Sequence, residues 1–413
     1  MSHLNQARKS MLDLERIKQA YARLEGVVHH TPFSLAPILS EMSGYEVYLK
    51  KENLQRTGAF KLRGAFNKIA TLIERGERGG VVAASAGNHA QGVAFAANYF
   101  GIDATIVMPE STPLTKIQGV KAFGANVILK GGNYDEAYAY AVKYGEEKGF
   151  TFVHPFTDEE VMAGQGTVAL EMLEAQPDLD VMVVPVGGGG LIAGMSVAAK
   201  ALKPDIEIIA VSAEGAPAMH QSFEAKKPID TTSVRTIADG IAVRDTSPIT
   251  LEYILELVDR FEGVCEDEIA SAILFLLERQ KVLVEGAGAV GVAALLHNKL
   301  DLPKGSKVGI VLSGGNIDVT MLSLIIEKGL MKSARKMKLI VTLVDKPGSL
   351  QSFTQILTDV GANIVQIGYD RTSIDLEFGD AHVNVALETK GKEHQEIIRQ
   401  KLTEGGFSFR EEH

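Results

Sequence analysis

Short, continuous apolar runs alternate with helix-periodic segments along residues 1–330. DATIVMPE precedes TPLTKIQGVKAF, DVMVVPV precedes LIAGMSVAAKALKP, and KVGIVLS precedes IDVTMLSLIIEKGL. Such uninterrupted apolar runs are typical of parallel strands that helices bury on both faces. Because the pattern is too long for a single sheet, we expect an α/β structure with two open twisted-sheet subdomains.

The pattern changes after the basic stretch MKSARKMK, within which residues 331–336 are interpreted as a linker. Residues 337–413 then read as strand, helix, strand, strand, helix, strand. This order is the βαββαβ arrangement of a ferredoxin-like sandwich. The chain is therefore predicted to carry a small C-terminal domain with a fold of its own.

Composition excludes several classes of function. The 413-residue chain has a formal net charge of −10, whereas proteins that bind nucleic acids or acidic membranes need a basic surface. No run approaches the length of a membrane span, the N-terminus lacks an apolar signal core, and Cys265 is the single cysteine. We therefore expect a cytoplasmic protein with no disulfide, no membrane partner and no nucleic-acid partner.

Four glycines follow a predicted strand in VVPVGGGGLIAG, where Gly187, Gly188, Gly189 and Gly190 open a helix. Glycines let successive backbone N–H groups turn inward, and a helix N-terminus adds positive potential. The segment lacks the Gly-Lys-Ser/Thr ending of a P-loop and is not a clean G-x-G-x-x-G, so a nucleotide is not implied. A tight turn is the alternative, but the pattern favours a cradle for a phosphate group.

Three further polar loops follow predicted strands, which is where open α/β sheets bind ligands. SAGNHAQG contains Ser85, Asn88 and His89, which would suit a carboxylate or would simply cap a helix. VLSGGN places Ser313 at the end of a strand. VEGAGAVG places Glu285 at a helix start, where its negative charge either complements the positive end of the helix dipole or faces a ligand.

Lys61 stands between Phe60 and Leu62, where a polar loop meets an apolar, helix-periodic run. A lone lysine in such a position is usually exposed to solvent. A phosphate cradle in the same α/β unit changes that interpretation, because a desolvated lysine can form a Schiff base with an aldehyde. The two features together indicate a phosphate-bearing aldehyde cofactor, pyridoxal phosphate.

Five motifs resemble, in this order, those of the threonine dehydratase (threonine ammonia-lyase) family of fold type II pyridoxal-phosphate enzymes: GAFKLRGA, SAGNHAQG, VGGGGLIAG, VEGAGA and SGGN. The resemblance covers nearly all of residues 10–330. It implies a catalytic domain like that of the tryptophan synthase β subunit, in which residues 45–155 form a small subdomain inserted in the large one. The tail motif VDKPGSLQSFTQIL resembles an ACT domain, a regulatory module that senses amino acids.

The resemblance assigns roles residue by residue. Lys61 matches the Schiff-base lysine, which also removes the Cα proton, and Phe60 matches the residue that packs on the cofactor ring. Asn88 matches the partner of the ring 3-oxygen, Ser313 that of the pyridine nitrogen, and Glu285 an acid near the outer edge of the ring. The phosphate loop matches Gly187, Gly188, Gly189, Gly190 and Leu191, and the loop that grips the substrate carboxylate matches Ser85, Ala86, Gly87, Asn88 and His89.

The family's reaction converts L-threonine to 2-oxobutanoate and ammonia, with L-serine as a secondary substrate. The neutral hydroxyl of Ser313 cannot enforce a protonated pyridinium, which favours elimination over transamination. Relatives that racemise serine carry a second serine where this chain has Ala86, so a lyase is preferred to a racemase. Those relatives also bind a divalent cation where Glu214 fits but His220 replaces an acid, so no metal is expected.

In the ACT-like tail, the expected effector-binding residues are Pro347, Gly348, Gly361 and Asn363, at a helix start and a turn. The effector, an amino acid such as isoleucine or valine or a nucleotide such as AMP, would distinguish isoleucine biosynthesis from threonine catabolism. The TGAFKLRGA variant and the single tail domain favour the catabolic type, and a homodimer or homotetramer is expected.

Three alternatives stay open at this stage. Two are a serine-preferring dehydratase and another β-eliminating enzyme. The third is a catalytically silent amino-acid sensor, against which the intact Lys61 and the intact glycine loop argue.

Overall fold

The structure is a computed structural model that describes residues 12–374 and 376–412. The chain forms two compact units, of which one ends at Asp318 and the other begins at Val319. The sequence placed the linker at 331–336. The division comes earlier because the helix Val319–Lys332 packs with the tail, where Lys336 Nζ donates to Glu327 Oε2 at 2.5 Å. The division into a catalytic and a regulatory domain stays a prediction.

The strands and helices of the first unit alternate along the chain. Over the described residues its strands are β1 (Phe33–Leu35), β2 (Glu46–Lys50), β3 (Val81–Ala84), β4 (Ala104–Met108), β5 (Asn126–Leu129), β6 (Thr151–Phe152), β7 (Val181–Pro185), β8 (Glu207–Ala213), β9 (Arg260–Val264) and β10 (Lys307–Val311). Its helices are α1 (Leu14–Leu24), α2 (Pro37–Ser43), α3 (Lys61–Glu74), α4 (Asn88–Phe100), α5 (Leu114–Ala122), α6 (Tyr134–Lys148), α7 (Glu159–Ala175), α8 (Gly190–Leu202), α9 (Ala218–Ala225), α10 (Pro248–Leu257), α11 (Glu266–Phe275) and α12 (Gly286–Leu296).

These strands form two sheets. The larger has the order β1-β2-β10-β7-β8-β9 and is parallel except for the pair β1–β2, and the smaller has the order β5-β4-β3-β6 and is parallel throughout. Every residue of β4 and of β7 is buried, as the continuous apolar runs predict for strands covered on both faces. The predicted α/β fold with two open sheets is confirmed. Strand β2 pairs in the larger sheet, so the smaller sheet is built from residues 81–152.

Three helices around the smaller sheet position the site. Helix α3 packs against α4 and α7, and it buries Leu62, Phe66 and Ile69 in the apolar core of this region. Asp158 is the N-cap of helix α7, and its carboxylate accepts hydrogen bonds from two first-turn amides. An N-cap of this kind satisfies backbone donors that the helix itself leaves unpaired.

The second unit contains helix α13 (Val319–Lys332), followed by β11 (Lys336–Val344), α14 (Ser349–Asp359), β12 (Asn363–Asp370), β13 (Asp380–Glu388), α15 (Lys392–Glu404) and β14 (Ser408–Glu412). Its antiparallel sheet has the order β12-β13-β11-β14. Leu339, Val341, Phe353 and Ile398 belong to its apolar core. From β11 onward the element order is the predicted βαββαβ. In the described part of the chain, every helix is too short or too polar to cross a bilayer.

Candidate functional site

One cavity of about 640 Å³ lies in the first unit, at the carboxyl ends of β3, β7 and β10. Ligands of open α/β sheets bind at this edge. The cavity brings together every site residue predicted for the catalytic domain. These lining residues are Phe60, Lys61, Ser85, Ala86, Gly87, Asn88, His89, Gly187, Gly188, Gly189, Gly190, Leu191, Glu285 and Ser313.

Lys61 is the first residue of α3 and points its amine into this cavity. Its Nζ donates to the carbonyl oxygen of Pro155 at 2.8 Å and lies 5.4 Å from the centroid of the Phe60 ring. Burial lowers the pKa of Lys61 to about 8, although the nearby Glu285 raises it. A minor but usable part of the amine is therefore neutral near physiological pH, and the neutral amine is the nucleophilic form.

The glycine loop presents unpaired backbone donors to the cavity. Over the described residues, the N–H groups of Gly187, Gly188 and Gly189 donate to no backbone carbonyl, and Thr250 Oγ1 donates to the carbonyl of Gly188 at 2.8 Å. The first turn of α8, which starts at Gly190, adds further free N–H groups. Unpaired amides at a helix N-terminus form an anion site.

Close packing against the backbone of neighbouring segments, and not only a ligand, requires these glycines. A Cβ on Gly187 would lie 2.7 Å from Ile241 Cα, and a Cβ on Gly190 would lie 2.8 Å from Phe156 Cα. Backbone atoms cannot yield to such a contact, so neither position admits a side chain. The sequence favoured a phosphate cradle over a tight turn at these glycines and gave no sign of their packing against Ile241 and Phe156.

The side-chain amide of Asn88 is fixed on both sides. Its Nδ2 donates to Glu285 Oε1 at 2.8 Å, and its Oδ1 accepts from Asn316 Nδ2 at 2.8 Å. Asn316 Nδ2 also donates to the carbonyl oxygen of Thr57 at 2.8 Å. The second N–H of Asn88 is left for a ligand oxygen. Asn316 was not among the assigned site residues, and its place in the SGGN motif was the available signal.

Glu285 is a second group in the cavity with a perturbed ionisation. Burial raises the pKa of Glu285 to about 7, although hydrogen bonds from Asn88 and the backbone of Asn316 lower it. Two groups, the buried Glu285 and the half-buried Lys61, thus titrate close to neutral pH in one cavity. Such pairs are concentrated at functional sites.

The sequence matches the family model described as pyridoxal-phosphate dependent enzyme over residues 24–314. The chain belongs to this family. The prediction of an enzyme that uses pyridoxal phosphate is therefore confirmed.

Relatives of this pyridoxal-phosphate enzyme cover most of its length. It is 50% identical to an L-threonine ammonia-lyase of Thermotoga maritima, across 97% of this chain and 99% of that protein. It is 45% identical to the L-threonine dehydratase catabolic TdcB of Staphylococcus aureus, across 78% of this chain and 93% of that protein.

Solved structures share its fold. Maize serine racemase superposes with a TM-score of 0.73 at 38% identity, across 78% of this chain and 98% of that chain. The processed form of threonine deaminase isoform 2 from Solanum lycopersicum superposes with a TM-score of 0.72 at 36% identity, across 76% and 86% of the two chains.

The cavity of this pyridoxal-phosphate enzyme fits its cofactor. The unpaired amides from Gly187 to Gly189 suit a phosphate, and the partly neutral Lys61 suits an aldehyde. The Ser313 backbone oxygen accepts from Phe60 N at 3.1 Å, which joins the loop after β10 to the start of α3. Ser313 itself is buried and lines the cavity, where its hydroxyl can meet a ligand nitrogen.

The loop from Ser85 to His89 has a mixed role. Ser85 Oγ accepts from Gly87 N at 3.2 Å, and Gly87 precedes the free amides of the first turn of α4. Burial lowers the pKa of His89 to about 3, so its ring is neutral and Nε2 donates to the carbonyl oxygen of Val153 at 2.8 Å. The His89 ring therefore anchors the loop to the residue that follows β6, while the loop lines the cavity.

The carboxylate of Glu214, at the position matched to the relatives' cation site, lies beside the ammonium group of Lys299. Lys299 Nζ contacts Glu268 Oε2 at 2.8 Å, the Gly263 carbonyl oxygen at 2.7 Å and Glu214 Oε1 at 3.4 Å. The His220 ring stacks on a phenylalanine. No group of three or more His, Cys, Asp or Glu side chains that could hold a metal occurs in the part of the chain that the structure describes. The expected absence of a metal stays a prediction.

The predicted effector residues lie on the surface of the second unit. Pro347, Gly348, Gly361 and Asn363 are all exposed. Gly348 precedes α14 with a φ of 93°, which favours glycine, and Asn363 Nδ2 donates to Glu388 Oε2 at 2.8 Å. Their role as an effector site stays a prediction.

Proposed function

We propose that this enzyme is a threonine ammonia-lyase that converts L-threonine to 2-oxobutanoate and ammonia, with L-serine as a secondary substrate. The observation that carries the proposal is Lys61, whose amine has a pKa lowered to about 8 in the cavity that also contains the unpaired amides of the glycine loop. The 50% identity to an L-threonine ammonia-lyase of Thermotoga maritima supports it.

Lys61 has two tasks in this proposal. Its Nζ would hold the aldehyde carbon of pyridoxal phosphate, and in its free, neutral form would take the proton from the substrate Cα. Pyridoxal phosphate supplies the electron sink that makes this proton acidic. The pKa of about 8 keeps part of the amine neutral near physiological pH, as a general base requires.

Other cavity residues bind and orient. The amides of the glycine loop would hold the phosphate of the cofactor, and the remaining N–H of Asn88 would donate to the oxygen on its ring. The Ser85 hydroxyl and the first-turn amides of α4 bind the substrate carboxylate, since free N–H groups at a helix start attract anions. Loss of the Cα proton and the β-hydroxyl releases water. The freed enamine then takes up water and yields the 2-oxo acid and ammonia.

A serine racemase is the second candidate, because maize serine racemase is 38% identical and has a TM-score of 0.73. Racemisation needs a second base on the opposite face of the substrate. The position that carries this base in the serine racemases is occupied here by Ala86, whose methyl group cannot hold a proton. This favours elimination over racemisation.

The proposal includes regulation through the second unit. We assign the βαββαβ tail to an ACT domain that binds an amino-acid or nucleotide effector near Pro347, Gly348, Gly361 and Asn363. Paired tails would place this site between subunits of a homodimer or homotetramer, and the enzyme would work in the cytoplasm.

Steady-state assays on the full-length enzyme test the function. We expect formation of 2-oxobutanoate from L-threonine and slower formation of pyruvate from L-serine. We also expect isoleucine, valine or AMP to change the L-threonine concentration that gives half the maximal rate. Lys61→Ala should abolish both products while the protein still folds. Oxo-acid formation by Lys61→Ala at the wild-type rate, or D-serine formation faster than pyruvate formation, would contradict the proposal.

A further inference from the structure

The helix that carries Lys61 starts without a capping side chain. Phe60 is its N-cap residue and makes no side-chain cap, and the first turn of α3 contains no acid. The backbone alone contributes here, since Arg63 N donates to the Phe60 carbonyl oxygen at 2.9 Å. Other contacts therefore have to fix the direction in which Lys61 enters the cavity.

Arg63, two residues further along α3, is fully buried and fully hydrogen-bonded. Its Nε and Nη2 donate to the two carboxylate oxygens of Glu52 at 2.9 and 2.8 Å. Its Nη1 and Nη2 donate to the two oxygens of Glu171 at 2.6 and 2.9 Å, and Nη1 also donates to Thr167 Oγ1 at 3.2 Å. The planar guanidinium is thus held by two bidentate pairs from different parts of the chain.

Lys50 completes a buried ionic quartet with Arg63, Glu52 and Glu171. Its Nζ donates to Glu171 and to the carbonyl oxygen of Thr31, and none of the four charged side chains is more than 1% exposed. Burial alone would raise the pKa of Glu52, but the charges of Arg63 and Lys50 hold it below its ordinary value. The quartet is neutral when all four groups are ionised.

The quartet joins the side of α3 opposite Lys61 to three other elements of the chain. Lys50 ends β2, Glu52 lies in a 3-10 turn and Glu171 lies on α7. Residues two apart on an α-helix are separated by about 200° around its axis. Arg63 therefore anchors the side of α3 that faces away from the Lys61 side chain, and Arg63 does not line the cavity.

We propose that Arg63 is a positioning residue for Lys61: its guanidinium, held between Glu52 and Glu171, sets the rotation of α3 and so the direction of the Lys61 amine. This rests on the proposed role of Lys61. A buried ion pair is weak support for stability, because its desolvation costs about as much as its attraction returns. The two bidentate pairs do, however, fix the orientation of the Arg63 side chain and of the helix that carries it.

The required precision is high. A rotation of α3 by about 10° moves an atom that lies about 6 Å from the helix axis by about 1 Å. A misplacement of about 1 Å at a reacting group can reduce a rate about a hundredfold. Even a small loss of restraint at Arg63 should therefore displace the Lys61 amine enough to change the reaction rate.

The experiment compares three full-length variants with the wild type. Arg63→Lys keeps the positive charge and loses the planar guanidinium that forms two bidentate pairs. Glu171→Gln keeps the volume of the side chain and leaves Arg63 paired with Glu52. Lys68→Met is the matched control, because Lys68 lies on the same helix and forms a partly buried pair with Asp158 at 2.6 Å. The readouts are the attachment rate of pyridoxal phosphate, the pH midpoint of its visible absorbance, kcat, KM and the unfolding temperature.

We expect Arg63→Lys to attach the cofactor about tenfold more slowly, to shift the pH midpoint of the absorbance, and to lower kcat about tenfold or more with little change in KM. Glu171→Gln should change the same quantities by less. Lys68→Met should lower the unfolding temperature and leave the cofactor's absorbance and kcat as in the wild type.

Two outcomes overturn the inference. One is wild-type attachment, absorbance and kcat in Arg63→Lys despite a lower unfolding temperature, which assigns the quartet to stability alone. The other, used if Arg63→Lys does not fold, is a Glu171→Gln enzyme that matches the wild type in all cofactor readouts.

A separate experiment on the wild type distinguishes failure of this inference from failure of the proposed function. Borohydride reduction and peptide mass mapping identify the residue to which the cofactor attaches. Attachment at a residue other than Lys61 refutes the proposed function, and attachment at Lys61 leaves only the role of Arg63 in question.

Discussion

Replacing Lys61 with methionine tests the electrostatic state of the cavity in the cofactor-free protein. Burial lowers the pKa of Lys61 from 10.5 to about 8. At about 1.4 kcal/mol per pH unit, this difference corresponds to about 3 kcal/mol of unfolding free energy. The value is an upper limit, because the side chain keeps contact with the open side of the cavity.

The sign follows from the direction of the shift. Because the pKa is lower in the folded protein, the folded state binds fewer protons than the unfolded chain between pH 8 and 10.5. The charged lysine therefore costs stability fully below pH 8, and this cost disappears as the pH rises to 10.5. Methionine has no charge to desolvate, but it leaves the Pro155 carbonyl without its donor, which costs about 1 kcal/mol.

We therefore expect Lys61→Met to be about 2 kcal/mol more stable than the wild type at pH 7 and slightly less stable above pH 10.5. Urea unfolding of both proteins, followed by far-UV circular dichroism across this pH range, measures the difference. Lys304→Met, at an exposed lysine, is the control and should show no such trend. A Lys61→Met protein that is less stable at pH 7, or a difference that does not change with pH, would refute the reasoning.

Three further predictions concern the catalytic and regulatory assignments. The wild type should form negligible D-serine, and Ala86→Ser should gain a trace that chiral chromatography detects; substantial racemisation by the wild type would overturn the lyase assignment. Because the pKa of Glu285 is about 7, Glu285→Gln should remove an ionisation near that pH from the kcat/KM profile, and an unchanged profile would show that Glu285 does not act there. Deletion of residues 319–413, which removes the whole second unit, should leave turnover within about twofold and abolish the response to isoleucine, valine or AMP, whereas a retained response would place the effector site in the first unit.

Much of the fold was predictable because its signals are local. Strands such as β7 and β10 are continuous apolar runs, and burial on both faces is the physical reason for that pattern. The order of elements in the tail was likewise readable from alternating periodicity. The boundary between the two units was not, because the helix Val319–Lys332 is apolar enough to join either unit and only its contacts with the tail place it.

The candidate site divides in the same way. The motifs predicted Lys61, Asn88, Glu285 and the glycine loop. Asn88 and the glycine loop follow β3 and β7, whose carboxyl ends form the ligand edge, whereas Glu285 follows helix α11 and was predicted from its motif alone. The motifs did not indicate the buried partners of Arg63. Glu171 lies more than a hundred residues from Arg63 in sequence, and no local pattern distinguishes a buried arginine from a solvated one.

The sequence by itself therefore determined the chemistry that is available: a lysine at the start of an apolar helix, a run of glycines after a strand, and an amide and an acid in neighbouring loops. Tertiary structure alone decided how those groups ionise and where they point. The pKa of about 8 at Lys61 and of about 7 at Glu285 both arise mainly from burial, which depends on elements far apart in the chain. Desolvation and long-range ion pairing are properties of the packed molecule, and a local segment cannot encode them.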